Sequence, residues 1–349
     1  MKKFLHLLPF LLVAFALLLN ACTPSAQPQV TPTAAAPVIE RTQAPVMPTP
    51  EPSPTALPGK VLLVTPQGID PAPYRSVLED LAASQGLLVE ERAGLGTADL
   101  TPEIRVVVML APLAHYADLV SAAPQAQFVI FSPVDLSPAA NLSVIRQRIE
   151  LQAFLAGFVS ELLSPDYRAA GLLPADGMLG AQLQEAFVNG GKYYCGVCAP
   201  GWPLGLYYPA VAALPAASDG AAWLASAADM FDNKKVDVFF LTPESANPAV
   251  IGYLQGKTQL DRPVMVIGTH APVGGLANQW AASVGFDDLA ALREVWPAVT
   301  SGSGGVVVDA PLAVDHVNES LLSAGRMRLV EDLLEEIAAG RVHPFTVAP

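Results

Sequence analysis

The chain has 349 residues, 52% of them hydrophobic and 15% charged, and a formal net charge of −13. That hydrophobic share is enough for a sizeable core even after the apolar start of the chain is discounted. No cluster of lysine or arginine follows the first residues. This excludes nucleic acid as a partner and electrostatic adhesion to anionic lipid, because both need a basic footprint.

Lys2 and Lys3 precede an apolar run over residues 4–19, which ends in Leu19-Asn20-Ala21-Cys22. A short core with small residues at its end reads as an export signal rather than a membrane span. The ending resembles a bacterial lipobox, in which Cys22 would receive diacylglycerol and become the mature N-terminus. An uncleaved anchor or a plain signal peptide are the competing readings. Residues 23–58 are mostly Pro, Ala, Thr, Gln and Ser. Such a segment buries too little apolar surface to offset its ordering entropy, and frequent proline extends it. It is expected to be a stalk between the lipid and a folded domain.

From residue 59 onward, apolar runs and helical patterns alternate. Residues 60–65 predict a buried strand, and residues 74–85 a helix stopped by Gly86. Further strands are expected at 87–91, 105–110 and 127–131. Residues 149–163 carry apolar side chains at near-helical intervals, and Ala153, Ala156 and Gly157 would let that helix approach a neighbour closely. A second series starts at Arg168, with strands at 169–173, 236–241 and 263–268 and helices at 180–188 and 249–254. A last helix is expected over 318–340, with Asn318 at its start and Gly340 and Pro344 as stop signals. This alternation implies βαβ units and parallel sheets covered on both faces. Two series meeting near Pro165 suggest an α/β fold of two Rossmann-like lobes joined by a hinge. Lobe 1 is expected at about 59–165 plus part of 275–349, and lobe 2 at about 166–274.

Cys195 and Cys198 lie three residues apart. A small disulfide loop, free thiols and redox or metal chemistry are all open. Export favours the first, and neither a second Cys pair nor a His-x-x-x-His completes a zinc site. Gly256-Lys257-Thr258 lacks the glycine a P-loop needs five residues earlier, where Ile251 stands. Ser301 and Ser303 lack the spacing of a nucleophile elbow, and His270 and His316 read as surface or capping residues. No nucleophile, base and oxyanion donors assemble, so neither an enzyme nor a cofactor is expected.

Polar residues do recur where predicted strands end. Gln67 and Asp70 follow the first strand, Ser132 and Asp135 the fourth, and Thr242 with Glu244 and Thr269 with His270 close later ones. Ligands of open α/β sheets bind beyond the carboxyl ends of the strands, and Gln67, Asp70, Tyr74, Ser132, Thr242 and Thr269 are the six candidate ligand-binding residues. Tyr74 is the strongest of them, since its ring can stack on a flat ligand while its hydroxyl stays hydrated.

Glu150-Leu151-Gln152-Ala153-Phe154-Leu155-Ala156-Gly157 resembles the Glu-x-x-Ala-Phe/Tyr-Leu-Ala-Gly helix of the basic membrane protein family. Residues 61–65 with Gly68 and Tyr74 are similar to that family's first strand and following loop. Phe128 to Phe131 followed by Asn141 and Ser143, residues 264–268, and Val299-Thr300-Ser301 match its later landmarks. The resemblance implies a lipid-anchored substrate-binding protein of an ABC transporter with the type I periplasmic-binding fold. Its implied partners are a small-molecule ligand, in many members a nucleoside, and an ABC permease. Pro66, Ser132 and Thr269 stand where nucleoside-binding members carry acidic residues, so the ligand is not implied as firmly as the fold. A sensory or structural lipoprotein that keeps the fold without transport is the alternative.

Overall fold

A computed structural model describes residues 59–176, 180–201 and 205–345. Cys22, the apolar start and the proline-rich segment, where the lipid anchor and stalk are expected, lie outside the described residues.

Strand β1 (Lys60–Val64) is followed by helix α1 (Ala72–Ala83), β2 (Leu88–Arg92), β3 (Ile104–Met109), α2 (Tyr116–Ala122), β4 (Gln127–Ser132) and β5 (Leu142–Arg146). The continuous apolar run of β1 arises because the strand lies inside a parallel sheet, between β2 and β3, with helices on both faces. Pro71 and Asp70 start α1 earlier than its apolar spacing suggests, because Asp70 Oδ1 accepts the Ala72 N–H at 3.0 Å.

The chain then leaves the first sheet. Helix α3 (Ile149–Leu163), β6 (Ala169–Pro174), α4 (Gly180–Cys195), β7 (Ala210–Leu214), α5 (Gly220–Asp232), β8 (Val238–Leu241), α6 (Pro248–Leu254), the short hairpin β9 (Thr258–Gln259) and β10 (Arg262–Pro263), β11 (Met265–Gly268) and β12 (Trp280–Phe286) follow. Helix α7 (Asp288–Thr300) and β13 (Val307–Asp309) return to the first sheet, and β14 (Leu312–Asp315) and α8 (Ala324–Ala338) end in the second. The first sheet has the order β13-β5-β4-β3-β1-β2 and the second β14-β12-β11-β8-β6-β7. Every pairing in the two sheets is parallel except β12 with β14.

Each sheet is a middle layer. In lobe 1, Leu78 of α1 and Leu292 and Trp296 of α7 cover one face, while Leu119 of α2 packs with Val107 and Phe128 on the other. In lobe 2, α3, α4 and α8 bury Phe154, Phe187 and Leu333 on one face, and α5 and α6 bury Trp223 and Val250 on the other.

The expected lobe boundary at residue 165 needs correction. α3 packs with Phe187, Phe240 and Val330 in the core of lobe 2, so the chain changes lobe at Gln147. Its apolar stripe announced a buried helix but not which sheet it would cover. The last helix also begins later than expected, at Ala324, because Asn318 organises a preceding turn through Ser320 instead of capping it. Helix α4 runs to Cys195, well beyond residue 188, and its closing Cys195 is disulfide-bonded to Cys198, with Cα atoms 5.4 Å apart.

Candidate functional site

Among the described residues the chain crosses between the lobes three times, at Gln147, at Asp287 and at Ala310 and Pro311. The crossings run side by side and are tied together. Ala310 N–H donates to the Arg146 carbonyl at 2.9 Å, and Asp287 N–H to the Pro311 carbonyl at 2.8 Å. Arg146 binds both carboxylate oxygens of Asp309, at 2.5 and 2.9 Å, and Asp135 at 3.1 Å. These acids raise its pKa further, so the guanidinium is a fixed charge at the hinge.

Between the lobes lies a cavity of about 440 Å³. Its walls come from the carboxyl ends of strands in both sheets and from the first turns of α1, α3 and α7. This is where an open parallel sheet offers loops and helix N-termini to a ligand. A second concavity of about 500 Å³ sits at the opposite edge of the first sheet, against Gly59, Arg105 and Gln127. Strands begin there, and the loops that line it lead into strands instead of leaving their carboxyl ends.

Three of the six expected residues line the cleft: Tyr74, Thr242 and Thr269. The other three do not. Gln67 is exposed in the turn after β1 and stands outside the lining. Asp70 is also exposed and spends one carboxylate oxygen on starting α1. Ser132 is fully buried, its hydroxyl donating to the Val134 carbonyl at 2.7 Å and accepting the Val134 N–H at 3.2 Å. Position at a strand end is read from sequence, whereas the direction of the next few side chains depends on the turn that follows.

Tyr74 is half-buried, and its ring meets Phe131 edge-on with centroids 5.7 Å apart. Its hydroxyl, expected to stay hydrated, donates to Asp288 Oδ2 at 2.7 Å. Gln147 Nε2 donates to the same carboxylate, at 3.0 and 2.9 Å. Burial pushes the pKa of Asp288 up, while the bonds from Gln147 and Tyr74 oppose the shift. Burial, followed by the charge of Asp288, raises the pKa of Tyr74, which therefore acts as a donor. The three groups come from α1, from the first crossing and from the start of α7. Such a link between segments more than 140 positions apart has no local signal in sequence.

The second lobe adds its own polar groups. Thr242 is nearly buried, with Oγ1 3.4 Å from the Leu172 carbonyl, and it shapes the loop more than it offers a free hydroxyl. Thr269 Oγ1 lies 2.8 Å from His270 Nδ1. His270 and His316 are exposed, as expected, and both also line the cleft, as do Glu244 and Asp315. Apolar walls come from Ile149, Leu173, Leu183, Phe240 and Phe286. Among the described residues no cluster of three or more His, Cys, Asp or Glu is arranged to hold a metal ion.

No family model matches the chain, and no curated protein matches it. Solved structures do. An ABC transporter solute-binding protein from Aeropyrum pernix K1 is 15% identical over 84% of this chain and 94% of its own, with a TM-score of 0.59. One from Conexibacter woesei DSM 14684 is 15% identical over 82% of this chain and 98% of its own, with a TM-score of 0.61. A transcriptional activator of the comK gene from Bacillus halodurans is 15% identical over 82% of this chain and all of its own (100%), with a TM-score of 0.58. At such identity the likeness concerns the fold. The fold is α/β with parallel-dominated sheets, of the type I periplasmic-binding kind.

Proposed function

We propose that the chain is a lipid-anchored binding protein that captures a small solute in the inter-lobe cleft and presents it to an ABC permease. The observation that carries this reading is the cleft itself, walled by both lobes and flanked by three tied crossings. Such an arrangement allows hinge closure over a ligand. The Aeropyrum and Conexibacter proteins, described as ABC transporter solute-binding proteins, support it. The lipobox-like ending at Cys22 and the proline-rich segment support tethering at the outer face of the cytoplasmic membrane.

A nucleoside-like solute is compatible with the walls. Its base would lie against Tyr74 and the apolar side chains, and its hydroxyls could donate to Asp288 or Glu244. These carboxylates stand on other elements than those where the resembling family carries its acids. A sensory role without transport is the second reading, favoured by the similarity to the Bacillus halodurans activator.

A calorimetric screen of nucleosides and other small solutes, paired with X-ray scattering, tests both. Binding with compaction of the protein supports solute capture, and Tyr74→Ala should weaken it by at least about 1 kcal/mol. If no solute closes the lobes, the sensory or structural reading moves ahead. If Tyr74→Ala leaves affinity unchanged, the site assignment fails.

A further inference from the structure

The charge of the cleft is one-sided. Glu244, Asp288 and Asp315 all line it, and among the described lining residues there is no lysine or arginine. Its basic groups are the imidazoles of His270 and His316. None of the three carboxylates takes part in an ion pair among the described residues, although surface acids elsewhere are paired repeatedly. Asp288 is held by two neutral donors, the Tyr74 hydroxyl and the Gln147 amide, which orient the carboxylate without cancelling its charge. Glu244 is less satisfied still. Its Oε2 is buried and has no hydrogen-bond partner among the described residues.

An unpartnered carboxylate oxygen in a sheltered site costs free energy until a donor reaches it, and a charged donor recovers the most. Low-dielectric walls concentrate the field of the carboxylates within the cleft. A phosphate or carboxylate ligand would meet that field with no lysine or arginine among the described lining residues to receive it. The apolar side chains Leu173, Leu183 and Phe240 leave room for a ligand with an apolar body, and about 440 Å³ suits a small organic molecule.

We propose that the cleft selects a positively charged, nitrogen-bearing organic solute, its protonated amine or ring nitrogen received by Glu244 and Asp288 and its apolar body by Leu173, Leu183 and Phe240. This rests on the solute-capture reading and specifies the ligand class.

The test uses the purified full chain in detergent micelles, with calorimetry and X-ray scattering at low salt. The probes are thiamine, tyramine and spermidine as cations, adenosine as a neutral nucleoside, and adenosine monophosphate as an anion. At least one cation should bind at least about tenfold more tightly than adenosine, weaken as salt is raised, and compact the protein. Adenosine monophosphate should show no binding. Glu244→Gln should weaken the cation by at least about tenfold while leaving the melting temperature of the free protein unchanged or raised, because it removes an unpartnered charge. Tightest binding by adenosine or its monophosphate, or binding by no cation, overturns the charge assignment. Compaction with adenosine in that case leaves solute capture standing, whereas compaction with no probe removes both.

Discussion

The contact between α3 and α4 offers a test in which two well-known effects have opposite signs. Gly157 and Gly190 face each other's helices reciprocally. A Cβ added at Gly190 would stand 1.8 Å from the Phe154 carbonyl oxygen, and one at Gly157 would stand 2.0 Å from the Phe187 carbonyl oxygen. Both obstacles are backbone atoms inside helices, so no side chain can swing aside. Restoring an ordinary contact requires the helices to part by about 1.5 Å, which forfeits more than half the dispersion attraction across that stretch. Helix propensity alone favours alanine by about 0.5–1 kcal/mol, whereas overpacking costs about 1–3 kcal/mol and more where backbone is struck. Gly190→Ala should therefore destabilise by about 2 kcal/mol net and lower the melting temperature by roughly 4 °C. Gly252, inside α6, has nothing within 4 Å of an added Cβ. Gly252→Ala should stabilise by about 0.4–1 kcal/mol. Urea unfolding of the two variants beside the parent measures both signs. The double variant of Gly157 and Gly190 should cost less than the sum of its parts, since parting the helices once relieves both clashes. A stabilised Gly190→Ala would refute the close-contact reasoning outright.

Three further outcomes are expected. Glu161 is fully buried, and burial with the nearby charge of Asp237 raises its pKa to about 8, while Asp237 itself is raised to about 6. Tyr208 and Arg168 share the surroundings of this pair. A carboxyl held protonated in the folded state contributes fully below its unfolded pKa and loses that contribution as pH rises through its folded value. Stability should thus fall between about pH 5 and pH 8, by up to roughly 4 kcal/mol from Glu161 alone. Denaturation midpoints across that range should fall less steeply in Glu161→Gln, and an unchanged slope would assign the effect elsewhere. For the cysteines, thiol titration of unreduced, unfolded protein should find no free thiol at Cys195 or Cys198, and reduction should cost at most about 2 kcal/mol because the loop closed is so short. Two reactive thiols would remove the disulfide. Finally, Cys22→Ser should release the protein from the membrane fraction or leave it unprocessed, and retained lipid labelling in that variant would exclude the anchor.

Short-range physics made much of this molecule legible in its sequence. The uninterrupted apolar run Val61, Leu62, Leu63, Val64 fits a strand covered on both faces, and all four side chains are buried. The bounds of α3 follow from apolar spacing, and the small residues Ala153, Ala156 and Gly157 anticipated a close helix neighbour. Periodicity reports which face of an element is buried, but not what it is buried against. Hence α3 was assigned to the wrong lobe. Strands β5, β7, β12, β13 and β14, the short hairpin β9–β10 and helices α2, α5 and α7 are not among the expected elements: β7 is built of small residues, and α7 carries Pro297 within its span. The cleft was the least legible part. Tyr74, Gln147 and Asp288 become neighbours because the chain crosses between lobes three times, and Ser132 turns inward because its own hydroxyl closes a turn at Val134. Sequence order carries local preference, and it determined the strands with strong apolar runs, the helices with clear apolar spacing and their buried faces. The partners of a side chain at a lobe boundary are set by where distant segments are brought together, which tertiary folding alone decides.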